Sequence, residues 1–490
     1  MKTDAATAHA IGPDAIRAEA ESMLTPIRLG KREHAKVFQE ILENLITLDF
    51  RELADLAEDE KLTQKHFRVL TVQEVLQNAL DLNCGLCRNL DFVYAYNGEY
   101  WQLITCDELE NFLGEASEKL GVDRITAKDY EFKAKLYKQF LADAYLPKPQ
   151  INGGTVLINL RNGTFQIAGK QIILREFDRA DFLTHQLSFD YDESAACPNW
   201  QAFLDEVLPE KDGAGKIVDK GKTRQKILAE YFGYVFARVL KLEKTLILFG
   251  LGANGKSVVF DIMNALLGKD NVSNYSLEAL GENYFRAMIA NTLLNYSSEI
   301  SNRLQAEKFK QLTSGEAVEA RLPYGQPMVL TNYARLAFNC NSLPSDVEHT
   351  EAFFRRFLIV PFDVTIPEEK RNPNLAKQII ENELSGVFNW ILDGLKRVLA
   401  NNRFSKCDAA ENALGVYRKE SDSVAMFISD EGYRQSEHYT QVKTLYQNYR
   451  SYCLDGGYKP LGRNNFSKRL EVNNVIVQRL NIGLVAYIQQ

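Results

Sequence analysis

The chain has 490 residues, of which 45% are apolar and 25% charged, and its formal net charge is −7. That length exceeds one ordinary core and the composition is that of folded globular protein, while no run reaches the roughly 18 apolar residues of a membrane span. The acidic balance excludes an overall basic character, although local potential and not net charge decides nucleic-acid binding.

The N-terminus, "MKTDAATAHAIGPD", lacks the basic-then-apolar order of a secretory signal, so a cytoplasmic protein is expected. Residues 1–90 read as an N-terminal helical region, because "VFQEILENLITL" and "TVQEVLQNALDL" repeat apolar positions at three- and four-residue steps. The seven cysteines are scattered and odd in number, which points to reduced thiols. "CGLC" at 84–87 has metal or redox spacing, but no second pair or nearby histidine completes a tetrahedral site. Two semi-buried thiols are the simpler expectation.

Residues 91–208 read as a mixed α+β accessory domain. "DFVYAYNGEYWQL" and "GTVLINLRNGTFQI" each set Asn-Gly between aromatic or β-branched runs, a hairpin signal. Asp190-Tyr191-Asp192 has the form that could hold two metals for nucleotidyl transfer. No third carboxylate and histidine stand at convincing positions, so a solvated acidic turn is expected. Residues 209–224, "PEKDGAGKIVDKGKTR", read as a linker or loop.

Residues 225–405 alternate strand and helix signals, which implies a mainly parallel sheet covered by helices. Within them "TLILFG" suits a buried strand, and Gly250-x4-Gly255-Lys256-Ser257 follows it as a full Walker A pattern. Val258, Val259, Ile262, Met263 and Leu266 then fall at helical spacing, and Gly268 can end that helix. The glycines Gly250, Gly252 and Gly255 let the backbone of 250–258, including Ala253, Asn254 and Val258, curl so that its N–H groups point at phosphate oxygens. Lys256 would reach the β and γ phosphates of ATP, and the Ser257 hydroxyl would bind Mg²⁺.

Further on, "TLLNYSSEI" is a second strand ending in Glu299, where a water-polarising or metal-holding acid belongs, although a capping glutamate reads similarly in isolation. "ARLAFNCNSLP" ends a third strand in Asn341, whose amide could donate to a γ-phosphate and accept from the attacking water. "FFRRFLIVPF" sets Arg355 and Arg356 before a fourth strand, as a salt-bridged edge or as an arginine finger. Between them, "FKQLTSGEAVEARLPYGQPMVL" reads as a hairpin about Pro323-Tyr324-Gly325, with Lys308, Lys310, Arg321 and Tyr324 able to contact single-stranded DNA. Residues 420–490 form a separate segment of two helices and two strands around Asn481-Ile482-Gly483. There Arg463, Lys468, Arg469 and Arg479 could make a basic face for duplex DNA, and protein docking is an equal alternative.

The order "GLGANGKS", "SSEI", "KQLTSGEAVEARLPYG", "FNCNSLP", "FFRRFLIVPF" resembles the superfamily 3 helicases, and within them the phage and plasmid helicase–primase family related to the poxvirus helicase–primase. The resemblance covers about 190 residues well and extends more loosely over both flanks. It implies a multidomain α/β protein with a P-loop, AAA+-like ATPase core (225–405), a mixed α+β N-terminal region and a C-terminal winged helix (420–490). It further implies a homo-hexameric ring with ATP between subunits, translocating 3′ to 5′ on single-stranded or forked DNA. Glu299 becomes the Walker B carboxylate, Asn341 the sensor, and Arg355 or Arg356 the finger in trans. A replication initiator, a primase or other replisome proteins are the expected partners, with no membrane. The family's channel hairpin often carries a lysine near its tip, where this chain has Gln326. A ring ATPase that melts origins or serves defence without processive unwinding is the alternative.

Overall fold

The computed structural model describes residues 34–146, 155–169, 171–209, 222–238, 240–298, 300, 305–323, 325–344 and 347–490. They divide into two compact units, the described residues of 1–86, 95–98 and 105–144 in one, and those of 87–94, 99–104 and 145–490 in the other.

The first unit is helical. Its helices α1 (His34–Asn44), α2 (Gln64–Asp81), α3 (Cys106–Leu120) and α4 (Tyr130–Asp143) bury one apolar stripe each, for example Val37 and Ile41, or Phe132, Leu136 and Phe140. Thr105 and Glu108 close a capping box at the start of α3, which ends on left-handed Gly121. The helical reading of residues up to 90 stops short, because the chain turns extended at Gly85. Strands β1 (Gly85–Asn89), β2 (Phe92–Tyr96) and β3 (Trp101–Ile104) make a sheet in that order, with Asn97-Gly98 between the last two.

In the second unit β4 (Thr155–Leu160), β5 (Gly163–Ala168) and β6 (Gln171–Arg175) form an antiparallel sheet, Leu160 facing Gly163 across the expected Asn-Gly turn. Asp192 accepts from the N–H and hydroxyl of Ser194 in an exposed turn. Helix α5 (Pro198–Val207) begins on proline, and its first N–H groups are held by the buried Glu383 carboxylate. Helix α6 (Thr223–Tyr234) follows. Its fully buried Glu230 accepts from Arg397 and Ser405.

The central layer contains β7 (Thr245–Phe249), α7 (Lys256–Leu267), β8 (Val272–Ser273), β9 (Leu294–Ser297), α8 (Ala306–Ser314), the pair β10 (Val318–Ala320) and β11 (Met328–Leu330), β12 (Arg335–Cys340), α9 (Glu351–Phe354) and β13 (Phe357–Pro361). Five strands make one parallel sheet in the order β13-β7-β12-β9-β8, with Leu246 between Leu358 and Ala337. The central strands β7 and β12 are buried at nearly every position, as expected of a parallel sheet covered on both faces. Helices α10 (Leu375–Asn382), α11 (Leu384–Asn401) and α12 (Asp408–Glu420) come next, and Val387, Phe388, Ile391 and Leu395 of α11 join the main core.

The C-terminal segment has a core of its own, centred on Phe427, Leu445, Tyr449, Phe466 and Leu470. Its elements are α13 (Ser423–Asp430), β14 (Arg434–Gln441), α14 (Val442–Asp455), α15 (Arg463–Val472), β15 (Val477–Leu480) and β16 (Gly483–Gln489), with sheet order β14-β16-β15. The two helices and the hairpin match expectation, while α13 and β14 add to it. No helix among the described residues is long and apolar enough to cross a membrane.

Candidate nucleotide site

Because all five strands run parallel, their carboxyl ends meet at one edge of the sheet. The chain leaves β7 for the far edge at β8 and returns on both sides of β7, so a crevice opens where the connections diverge. The loop 250–255 lies there, anchored by the Gly250 N–H to Cys340 O (3.1 Å) and by the Ile366 N–H to Ala253 O (2.8 Å).

Its backbone takes left-handed angles at Gly252 (φ 119°), Ala253 (φ 48°) and Gly255 (φ 88°). At Gly255 a Cβ would sit 2.8 Å from the Phe203 ring and 3.0 Å from Val207. At Gly250 it would strike the Asn254 amide and the Phe362 carbonyl. The motif glycines therefore answer to sterics as well as to φ.

Lys256 folds back into this loop. Its ammonium donates to Gly250 O (2.6 Å) and Asn254 Oδ1 (3.0 Å), while the Asn254 amide donates to Phe362 O (3.1 Å). Lys256 is 7% exposed, and burial lowers its pKa. Burial also pushes the nearby Cys340 thiol up to about 12, so it stays protonated beside the lysine. Ser257 is exposed at the N-terminus of the twelve-residue α7, where free N–H groups and the helix dipole favour an anion. A curled glycine loop with a buried ammonium and an exposed hydroxyl fits a nucleoside triphosphate with Mg²⁺.

The crevice is a cavity of about 660 Å³. Gly252 through Val258 line it, and Ser298 at the end of β9 and Asn341 at the end of β12 meet them there. Since β12 lies between β7 and β9, Asn341 emerges between the loop and the second strand's end. Beneath it, buried Asn339 accepts from the Tyr296 hydroxyl (3.0 Å) and ties β12 to β9. Glu299 and Tyr324 lie outside the described residues.

The opposite wall comes from residues that motif reading missed: Asn199, Ala202, Phe203 and Glu206 of α5, and Ile366, Lys370, Arg371, Asn372 and Leu375 before and within α10. Pro198 signals a helix start, but nothing local marks that helix as facing a phosphate loop.

The paired arginines part company. Arg356 is 6% exposed and bonds to Ser314 Oγ (2.7 Å) and Ala352 O, holding α8 against α9. Arg355 is exposed and pairs with Glu243 (2.6 Å). It lines a different cavity, of about 1030 Å³, with Lys241, Lys244 and Arg403. That cavity is larger than the crevice, but no residue of the glycine loop lines it.

On α8, Lys308 reaches Gln311 (3.3 Å) and Lys310 pairs with Glu348 (2.8 Å). Val318 faces Leu330 across the β10–β11 pair, and beyond it Arg321 donates to Gly325 O (2.8 Å). In the C-terminal segment Arg463, Lys468 and Arg479 are exposed, whereas Arg469 turns inward onto buried Asp422. The basic face thus lacks Arg469.

Three family descriptions match this chain. Residues 74–209 match "D5 N terminal like" and residues 419–478 match "Poxvirus D5 protein-like". Both descriptions name D5 proteins, and they match on either side of the five-stranded sheet region. Residues 248–356, which hold the glycine loop and both arginines, match a family of unknown function, DUF5906. Among solved structures, an apo structure of the NrS-1 C-terminal region shares 11% identity at a TM-score of 0.48, covering 86% of this chain and 98% of that one. Its A form shares 10% at 0.46, covering 84% and 98%.

Proposed function

We propose that this chain is an ATP-dependent, hexameric DNA helicase of the superfamily 3 type, moving on single-stranded DNA during replication of a phage, plasmid or other mobile element. The observation that carries this reading is the convergence of Lys256, Ser257, Ser298 and Asn341 on one crevice at the carboxyl edge of the parallel sheet. The D5-type matches on both flanks point to replication. An AAA+-like core suits the five-stranded order, and a winged helix suits the helix–strand–helix–helix–hairpin order of the C-terminal segment.

In this reading the N–H groups of the loop and of the first turn of α7 bind the phosphates. Lys256 exchanges its bonds to Gly250 and Asn254 for phosphate oxygens and offsets their charge. Ser257 and Glu299 would hold Mg²⁺, which neutralises phosphate charge. Asn341 orients the attacking water and Glu299 polarises it. Arg355 faces away from its own chain's crevice, which favours service to a neighbouring copy's nucleotide. Arg356 keeps α8 and α9 in place beneath it.

The test is ATP hydrolysis with and without single-stranded DNA, then strand displacement on forks with a 3′ or a 5′ tail, always against Lys256→Ala. Displacement that needs ATP and is lost in the variant supports the helicase. DNA-stimulated hydrolysis without displacement would favour the origin-melting or defence ATPase, and absence of hydrolysis would remove both.

A further inference from the structure

Residues 347–350 lead into α9, the short helix whose C-cap is Arg355. Thr350 caps this helix by accepting from the Phe353 N–H (3.2 Å), and its hydroxyl donates to Glu348 (2.8 Å). Next to it, His349 reaches across to the C-terminal segment with both ring nitrogens. Nε2 lies 2.5 Å from the Ser421 carbonyl, and Nδ1 lies 2.8 Å from the Arg469 guanidinium.

These partners fix the proton. A carbonyl can only accept, so Nε2 carries the hydrogen, and a guanidinium can only donate, so Nδ1 is bare. Arg469 is itself held by Asp422, which accepts at 2.8 Å and also caps α13 through the Val424 and Ala425 N–H groups. Asn473 donates to the same carboxylate (3.1 Å). Two further contacts brace the junction: the Tyr417 hydroxyl to Pro344 O (2.9 Å), and Arg418 to Glu351 (2.9 Å) on the Arg355 helix.

We propose that His349 is a positioning residue. As the neutral Nε2–H tautomer it fastens the start of the Arg355 helix to the C-terminal segment, so that this segment sets where Arg355 stands. The inference rests on the proposed reading that Arg355 acts on a nucleotide. Protonation of Nδ1 would set two cationic donors against each other and release the clasp. The charged groups facing the ring are Arg469 on α15, Asp422 at the cap of α13 and Arg418 on α12, and burial favours the neutral ring.

The experiment uses the full chain and DNA-stimulated ATP hydrolysis. His349→Lys, which places a permanent cation against Arg469, lowers kcat by about tenfold, the scale of a broken coupling. The KM for ATP and the affinity for a fluorescent nucleotide stay put, because the phosphate loop is untouched. His349→Gln, which keeps one neutral donor and one acceptor, restores most of kcat and removes the acidic limb of the pH–rate profile assigned to His349. The decisive comparison is Arg355→Ala with and without His349→Lys. If His349 acts through Arg355, the double variant is no slower than Arg355→Ala alone. Additive losses, or a His349→Lys enzyme with parental kcat beside a crippled Arg355→Ala, would overturn the proposal and leave the arginine reading intact. Parental kcat in Arg355→Ala would remove the arginine reading itself, and the proposal with it.

Discussion

Replacing Gly255 by alanine separates two reasons for a glycine in the phosphate loop. Its φ of 88° is one that an L-residue resists by about 1–2 kcal/mol. The new Cβ would also sit 2.8 Å from the Phe203 ring and 3.0 Å from Val207, both buried in the main core. Overpacking of that kind costs about 1–3 kcal/mol. The sum, about 2–5 kcal/mol, is relieved if the unbound loop shifts, and must be met again when phosphate draws the loop back. Nucleotide affinity should therefore fall by at least about 30-fold. Gly252→Ala is the matched comparison. Its φ is 119° and a Cβ there meets nothing within 4 Å, so only the backbone strain remains, with a loss of about 5- to 30-fold. Titration of a fluorescent ATP analogue into both proteins, with thermal unfolding of the nucleotide-free forms, reads both effects. Equal affinities for the two variants would refute the argument that the Phe203 contact dominates.

Lys256→Ala should reduce hydrolysis by more than about 100-fold while leaving the melting temperature near that of the parent, measured by phosphate release and by calorimetry. Glu383→Ala removes the carboxylate that holds Asn199 N (3.1 Å), Asn199 Nδ2 (2.7 Å) and Trp200 N (3.0 Å), so α5 loses its N-terminal acceptor. We expect about 2–3 kcal/mol of destabilisation in denaturant titrations, with weaker nucleotide binding because α5 walls the crevice. His185 is buried near Arg238, its Nε2 has no hydrogen-bond partner among the described residues, and burial depresses its pKa to about 3. The unfolded chain takes up this proton near pH 6.5 and the folded one does not, so the contribution is complete above pH 6.5 and declines as pH falls towards 3. Between pH 6.5 and 5 the loss is about 2 kcal/mol, and His185→Phe should flatten that slope in denaturant titrations.

The curl of the loop 250–255 was legible because it is written in consecutive residues, with glycines at two of its three left-handed positions. The wall facing it was not, because Phe203 and Arg371 reach the crevice only after the chain has folded around the sheet. Arg355 and Arg356 look equivalent as text. Just past α9, Arg355 stays exposed and pairs with Glu243, while Arg356 is buried against Ser314 and also approaches Glu243. The same limit applies to Arg469, whose partner Asp422 lies 47 residues earlier in the chain. Strand β14, "RQSEHYTQ", escaped notice for another reason. It is mostly exposed, polar throughout and broken by a register shift between Gln435 and Thr440, so it has no alternation to read.

The folded-back Lys256 also bears on which anions this site can retain. Its ammonium already has two good acceptors, Gly250 O and Asn254 Oδ1, so no bare charge awaits a passing ion. A lone inorganic phosphate would merely exchange one set of bonds for another, with little net gain. A polyphosphate gains more, because its other phosphates engage the row of loop N–H groups that the lysine leaves free. On the proposed reading, selectivity for nucleotide over free phosphate is thus a property of the resting loop, established before any ligand arrives.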